Sequence, residues 1–254
     1  MYQSYLLIDL GDNPDRPRPG RLWLRNRYHV HQRLCMAFPS ASRKDGDNDF
    51  LKPYKPEEFA NGQVHVERAS DSGFLFRIDI IPNGRAVIIV QSATCPDWEY
   101  AFHNAGHFLA GPPEVKRVNL PFEHGQNLKF RLLGNPTRRL SKCSLGPDGK
   151  PIENGIGKRV PVPDDRLCDW LDRRTLSHGF AIDKETIVVQ PGYLYINKGG
   201  KGQGRRLRSA RYDGILKVED LVRFKEALVH GIGSGKAFGF GLLSVALLKK
   251  TIGE

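Results

Sequence analysis

Tyr28, His29 and His31 fall within four positions of this 254-residue chain and are its first candidates for chemistry. An imidazole titrates near pH ~6.5, so a histidine can give or take a proton under ordinary conditions. If Arg27–Phe38 is helical, Tyr28 and His31 are spaced i, i+3 and share one face. His29 then lies roughly 100° further round than Tyr28 and points elsewhere. On residue type alone, a Tyr/His pair near a helix start also reads as a surface or capping feature. The other chemical candidate is the glycine segment 231–241, which contains Gly231, Gly233, Gly235, Lys236, Gly239 and Gly241. Its Gly-Lys dipeptide invites comparison with a phosphate-binding P-loop. The glycine spacing is too short, however, and Ala237 stands where a Ser or Thr would hold magnesium. A dinucleotide fingerprint follows a strand and opens a helix, whereas this segment follows a helical pattern and leads into an apolar strand. The bland reading is a tight helix-to-strand turn, which is compatible with backbone contacts to a phosphate chain.

Metal chemistry finds little support in the sequence. Cys35, Cys95, Cys143 and Cys168 include no CxxC pair, and Asp, Glu and His form no clustered ligand set. The expectation is no metal and no cofactor. The charge pattern says more. The formal net charge is +11, yet residues 1–125 carry 15 basic and 15 acidic residues. Residues 126–254 carry 24 and 13, so the whole excess lies in the second half. Eight basic residues fall between Gln126 and Val160, among them Arg138, Arg139, Lys142, Lys158 and Arg159. Six more fall between Lys198 and Arg211 with no acid among them: Lys198, Lys201, Arg205, Arg206, Arg208 and Arg211. Such clustering is the footprint of a polyanion partner. It also fits a solvated basic face kept for solubility. The basic runs are rich in glycine and lack an amphipathic helical face, which argues against a membrane surface.

Composition sets the frame for these residues. With 39% hydrophobic and 26% charged residues, the chain is an ordered globular protein. No apolar run approaches the ~20 residues of a membrane helix. The apolar start has no basic segment ahead of it and no cleavage site behind it, which argues against a secretory signal. Cytoplasmic residence is the expectation.

The elements that must hold the candidates can be read from periodicity. In the first half, Tyr2–Leu10 reads as a strand, Asn13–Pro19 as a loop and Arg27–Phe38 as an amphipathic helix. Phe74–Ile81 and Arg85–Ser92 form a hairpin through Pro82-Asn83-Gly84. A short helix within Pro96–His107 and a strand at Val115–Leu120 complete this half. In the second half, Asn127–Leu133 reads as a strand and Asp164–Leu176 as a helix. Thr186–Ile196 and Arg211–Val218 are two strands around a basic, glycine-rich loop. A helix at Asp220–Gly231 and a strand at Phe240–Leu248 follow. Each half spells β-α-β-β-α-β, the order of a ferredoxin-like unit. The fold class is α+β: two tandem ferredoxin-like domains, 1–122 and 126–254, with a C-terminal glycine-rich loop.

Here the residues carry a resemblance. GIGSGKAFGFGLLSV resembles the glycine-rich loop of the RAMP superfamily of CRISPR proteins. LKFRLLGNPTRRL (128–140), GKRVPVP (157–163) before a DWL-containing helix, and RYHVHQRL (27–34) together resemble the CasE branch. These are CRISPR-repeat endoribonucleases of the type I-E Cascade system. The resemblance implies cleavage of precursor CRISPR RNA without a metal. A ribose 2′-OH attacks the neighbouring phosphate, leaving a 2′,3′-cyclic phosphate and a 5′-OH. Tyr28 and His31 match the family's catalytic Tyr and His, and His31 is preferred over His29. Some family members carry a basic residue five positions after the histidine, where this chain has Met36. That departure leaves the charge-stabilising role open between Arg33 and a second-half residue such as Lys158.

The resemblance also implies a basic hairpin gripping the stem-loop, matched here by Ile196–Arg211 with Lys198, Lys201, Arg205, Arg206 and Arg208. Its glycines mark a flexible tip. Arg138, Arg139, Lys142, Lys158 and Arg159 are the next candidates for binding phosphate. The implied partners are the repeat RNA, the mature guide hairpin and other Cascade subunits, including the backbone RAMP subunit. The alternative is a non-catalytic RAMP-type RNA-binding subunit, which has no need of Tyr28 and His31. A nucleotide-hydrolysing enzyme comes third.

Overall fold

The computed structural model describes residues 1–13, 15–16, 18–39, 73–119, 121–141, 157–197 and 204–248. It is a mixed α and β fold with antiparallel sheets. The chain divides into two compact units, and the division is not a single cut. The first unit is Met1–Leu120 with Tyr195–Arg205 and Ala237–Gly239, and the second is Pro121–Leu194, Arg206–Lys236 and Phe240–Glu254.

In the first unit, β1 (Tyr2–Asp9), β2 (Phe74–Ile81), β3 (Arg85–Ser92) and β4 (Glu114–Arg117) form a sheet in the order β2-β3-β1-β4. The even-numbered side chains of β1 to β3 make one buried face: Leu6 and Ile8, Phe76 and Ile78, Ile88 and Val90. Strand alternation puts them on that side together, and the registers Leu6↔Ile88 and Ile78↔Ile88 align them across the sheet. Three helices cover this face: α1 (Pro19–Arg25), α2 (Arg27–Cys35) and α3 (Trp98–Phe102). They bury Trp23 and Leu24, Val30 and Leu34, and Trp98 and Phe102. Each large side chain taken fully from water contributes about 1.5–3 kcal/mol. The β2–β3 turn is as the sequence predicts, with Asn83 at φ +64° and Gly84 at +61°. Helix α1 escapes the sequence reading. It is seven residues long, with Pro19 at its start and Gly20 inside it, so it shows no periodic stretch.

In the second unit, β5 (Asn127–Gly134), β8 (Phe180–Ile182), β10 (Arg205–Val218) and β11 (Leu243–Leu247) lie in the order β11-β5-β10-β8, and β9 (Val188–Ile196) pairs β10 off this path. Helices α4 (Leu167–Thr175) and α5 (Leu221–His230) supply Trp170, Leu171, Phe224 and Leu228 to the core against Phe130, Tyr212 and Leu216. A separate ribbon joins β6 (Thr137–Arg139) to β7 (Arg159–Pro161).

The structure corrects three expectations from the sequence. Thr186–Ile196, read as a strand of the repeat, lies off the main sheet path as β9. The three-residue β8, absent from the sequence reading, instead ends that path beside β10, through Leu216↔Ile182 and Val218↔Phe180. β10 begins at Arg205, six residues before Arg211, because the run Arg-Arg-Leu-Arg-Ser-Ala reads as charged loop but is held as strand. The β6–β7 ribbon is too short, and too close to prolines, to show in the pattern.

Candidate functional site

Helix α2 is fixed along one face and at its N-terminal cap. Val30 and Leu34 are buried in the first unit's core, which leaves Tyr28 and His31 half-buried and His29 exposed. The helix starts at Asn26, whose side-chain oxygen accepts from the Tyr28 amide at 3.2 Å. The same oxygen accepts from the Asn197 amide at 3.1 Å, and the Asn26 side-chain nitrogen donates to the Asn197 carbonyl at 2.6 Å. The capping residue of the Tyr/His helix is therefore tied to the end of β9, where the basic segment begins.

The His31 ring lies 5.5 Å from the Phe74 ring and 6.4 Å from the Phe76 ring, nearly parallel to the latter. Cys35, one turn along the helix, brings its Sγ to 3.6 Å from His31 Nε2. Gly239 of the glycine-rich segment lies over the same Phe76 ring. A Cβ there would meet the ring at 3.1 Å, and its φ of +83° favours glycine. One aromatic floor thus orients the histidine and receives the glycine loop. Gly231, Gly233, Gly235, Lys236 and Gly241 belong to the second unit, where the Ile232 amide bonds the Gly241 carbonyl and the Gly241 amide bonds the Leu133 carbonyl.

The charge around α2 is sorted differently from the sequence reading. The Arg33 guanidinium donates to the Ala101 carbonyl and the Asn104 side chain, both at 3.0 Å, and burial lowers its pKa. That places it in a structural role on α3. Met36 packs against the apolar core. Arg27, which sequence reasoning missed, has one buried guanidinium nitrogen without a hydrogen-bond partner. Burial lowers its pKa from the ordinary arginine value to about 10, against the pull of Asp79. Asp79 is already engaged by three hydrogen bonds from Arg77.

Arg27→Met is expected to stabilise the fold, by about 1–3 kcal/mol at neutral pH, since it removes a desolvated charge. The sign follows from the depressed folded-state pKa. Below pH about 10 the cost is fully present, and above it the native state sheds the proton before the unfolded state does. The advantage of Arg27→Met in urea melts should therefore shrink as pH rises through that range. A variant no more stable than wild type at pH 7 would contradict this account.

The basic residues of the second half separate by their surroundings. Arg205 and Arg206 are exposed on β10, and Arg206 lies over the Tyr193 ring at 4.6 Å. Tyr193 and Tyr195 are 53% and 50% exposed on β9, an aromatic signal that sequence reasoning passed over. Arg208 departs from the sequence reading: it is only 7% exposed and pairs with Asp164, a latch rather than a surface contact. Arg131 and Arg211 share the Asp213 carboxylate between them. Arg138, Arg139, Lys158 and Arg159 are exposed at the β6–β7 ribbon. Lys142, Lys198 and Lys201 lie outside the described residues. Among the described residues, no three His, Cys, Asp or Glu side chains are placed to hold a metal ion, and no helix is long and apolar enough to cross a membrane.

Comparison with known proteins bears on these features. Residues 1–246 match the family model described as CRISPR associated protein. The chain is 33% identical over 171 residues to the CRISPR-associated endoribonuclease Cse3 of Thermus thermophilus, covering 63% of this chain and 72% of that relative. It is 28% identical over 231 residues to the CRISPR system Cascade subunit CasE of Escherichia coli, covering 90% and 96%. A solved structure of the endoribonuclease Cse3 bound to a 19-nucleotide RNA is similar with a TM-score of 0.64 and 26% identity, over 97% of this chain and 100% of that one.

Proposed function

Because the chain belongs to the CRISPR associated protein family, we propose that it is an endoribonuclease that binds the stem-loop of a CRISPR repeat and cleaves the precursor RNA. The ribose 2′-oxygen forms a bond to the adjacent phosphorus as the bond to the 5′-oxygen breaks. The products are a 2′,3′-cyclic phosphate and a 5′-OH. No metal enters this step, which needs only a proton acceptor for the 2′-OH and a proton donor for the leaving oxygen. His31 carries one of these protons, and Tyr28, one turn earlier on the same face, assists at or positions the 2′-OH. The observation that carries the reading is the arrangement of α2. Its cap, Asn26, bonds Asn197, its histidine rests on Phe74 and Phe76, and exposed arginines lie on β10.

The domain reading is two tandem ferredoxin-like units, 1–122 for catalysis and 126–254 for RNA binding. It is supported by the strand orders β2-β3-β1-β4 and β11-β5-β10-β8, which follow one pattern if β9 is taken as an addition. RNA is held by Arg205 and Arg206, with Arg138, Arg139, Lys158 and Arg159 as further phosphate ligands. The protein works in the cytoplasm, keeps its product hairpin and stays on the guide RNA as a Cascade subunit.

The test is cleavage of a CRISPR repeat stem-loop RNA in excess EDTA, with analysis of the product ends. The expected result is one cut, at a rate unchanged by the chelator, with a cyclic phosphate on the upstream fragment. A requirement for a divalent cation would overturn the metal-free step. Tight binding without cleavage would make the protein a non-catalytic subunit.

A further inference from the structure

We propose that the cleft between the β6–β7 ribbon and α4 is a pocket for a backbone phosphate of the RNA, separate from the grip of β10; this rests on the RNA reading above. The cavity is about 290 Å³, and five arginines line it: Arg138 and Arg139 from β6, Arg159 from β7, Arg173 and Arg174 from α4. No sequence signal marks Arg173 and Arg174 as part of a site. Among the described residues, none of the five forms an ion pair. Two of them are held in place by backbone carbonyls. Arg173 Nε donates to the Asp169 carbonyl at 3.1 Å, and an Arg174 terminal nitrogen donates to that of Trp170 at 2.9 Å. The Arg174 guanidinium also lies 3.9 Å from the centre of the buried Trp170 ring. These interactions orient the forks without neutralising them.

The cluster works against the local fold. Arg139 sits directly opposite Arg159 in the ribbon register, and like charges facing one another across an antiparallel pair are destabilising. A two-stranded ribbon is marginal in water even without that repulsion. Backbone bonds from Leu140 to Lys158 and from Val162 to Pro136 hold it together, and the Trp170 indole ties it to α4 by donating to the Thr137 carbonyl at 3.3 Å. Burial lowers the pKa of Arg174, and the charges of Arg173 and Arg159 lower it further, against the effect of Tyr212. A concave wall of mutually repelling, pre-oriented guanidinium groups is completed by an anion. Planar forks match phosphate oxygens two at a time. A phosphodiester chain is favoured over a single carboxylate because five positive charges ask for more than one negative charge.

The test is a salt titration of binding to the repeat stem-loop RNA, comparing wild type with Arg139→Gln/Arg159→Gln. The double variant should bind about tenfold more weakly at moderate salt, and its log–log salt slope should be shallower by about 0.7–0.9 for each phosphate that is no longer neutralised. Arg173→Gln, exposed on α4, should move both readings in the same direction and serves if the ribbon variant does not fold. Wild-type binding with unchanged affinity and slope in both variants would overturn the pocket and leave the function standing. A wild type that does not bind the RNA would instead sink the function. A second arm titrates inorganic phosphate at constant ionic strength and reads the melting temperature. Phosphate protection abolished in the variants while RNA binding is intact would make this a free-anion or protein-carboxylate site, against the proposal.

Discussion

Replacing His31 with alanine is expected to slow cleavage of the repeat stem-loop about a thousandfold while leaving RNA affinity within about twofold. A positioned acid or base contributes 10²–10⁴-fold to a proton-transfer step, and the imidazole is the group on α2 suited to that work near neutral pH. The fold should survive, because the helix is anchored by Val30 and Leu34, both fully buried, while the His31 ring is half-buried on Phe74 and Phe76. His29→Ala is the matched control. It lies on the exposed side of the same helix, and its rate should stay within about twofold of wild type. Single-turnover kinetics with enzyme in excess separate the chemical step from product release, which matters for a protein proposed to keep its product. Loss of cleavage in His29→Ala with retention in His31→Ala would reverse the assignment.

The helix that carries the proposed catalytic pair is legible because several local signals agree there. The i, i+4 spacing of Val30 and Leu34 marked the buried face, and the i, i+3 spacing of Tyr28 and His31 marked the other. The β2–β3 hairpin was legible for a similar reason: Asn83-Gly84 is the dipeptide that tolerates two positive φ angles in succession. What escaped depended on partners distant in sequence. Nothing near Asn26 announces that it will bond Asn197, 171 residues away. Arg208 looks like its neighbours Arg205 and Arg206 in sequence and shares with Arg206 the strand face over Tyr193, yet packing buries it two residues further along, where Asp164 meets it. Arg33 likewise looked like a charge for the active site, and Ala101 and Asn104 claim it. A basic run gives the total charge. Only the register of β9 on β10 and the packing of α3 and α4 decide which charges face solvent.

That sorting gives the second large expected effect. Arg205→Ala with Arg206→Ala should weaken repeat binding about a hundredfold at low salt, since a charge-assisted hydrogen bond to phosphate contributes roughly 1.5–3 kcal/mol and tenfold is 1.4 kcal/mol. The log–log salt slope should become shallower by about 1.5, the share of two released counterions. Both side chains are exposed on β10, so their removal should leave the melting temperature nearly unchanged. Arg208→Ala should do the reverse: it removes a buried guanidinium paired with the exposed Asp164, lowering stability, with little change in slope. Arg206→Lys separates charge from geometry. A lysine keeps the counterion count but gives up the planar face that lies over Tyr193, so the slope should hold while affinity falls by several-fold. If the double alanine variant bound with the wild-type slope, β10 would not be the grip, and the arginines of the β6–β7 ribbon would carry the charge dependence alone.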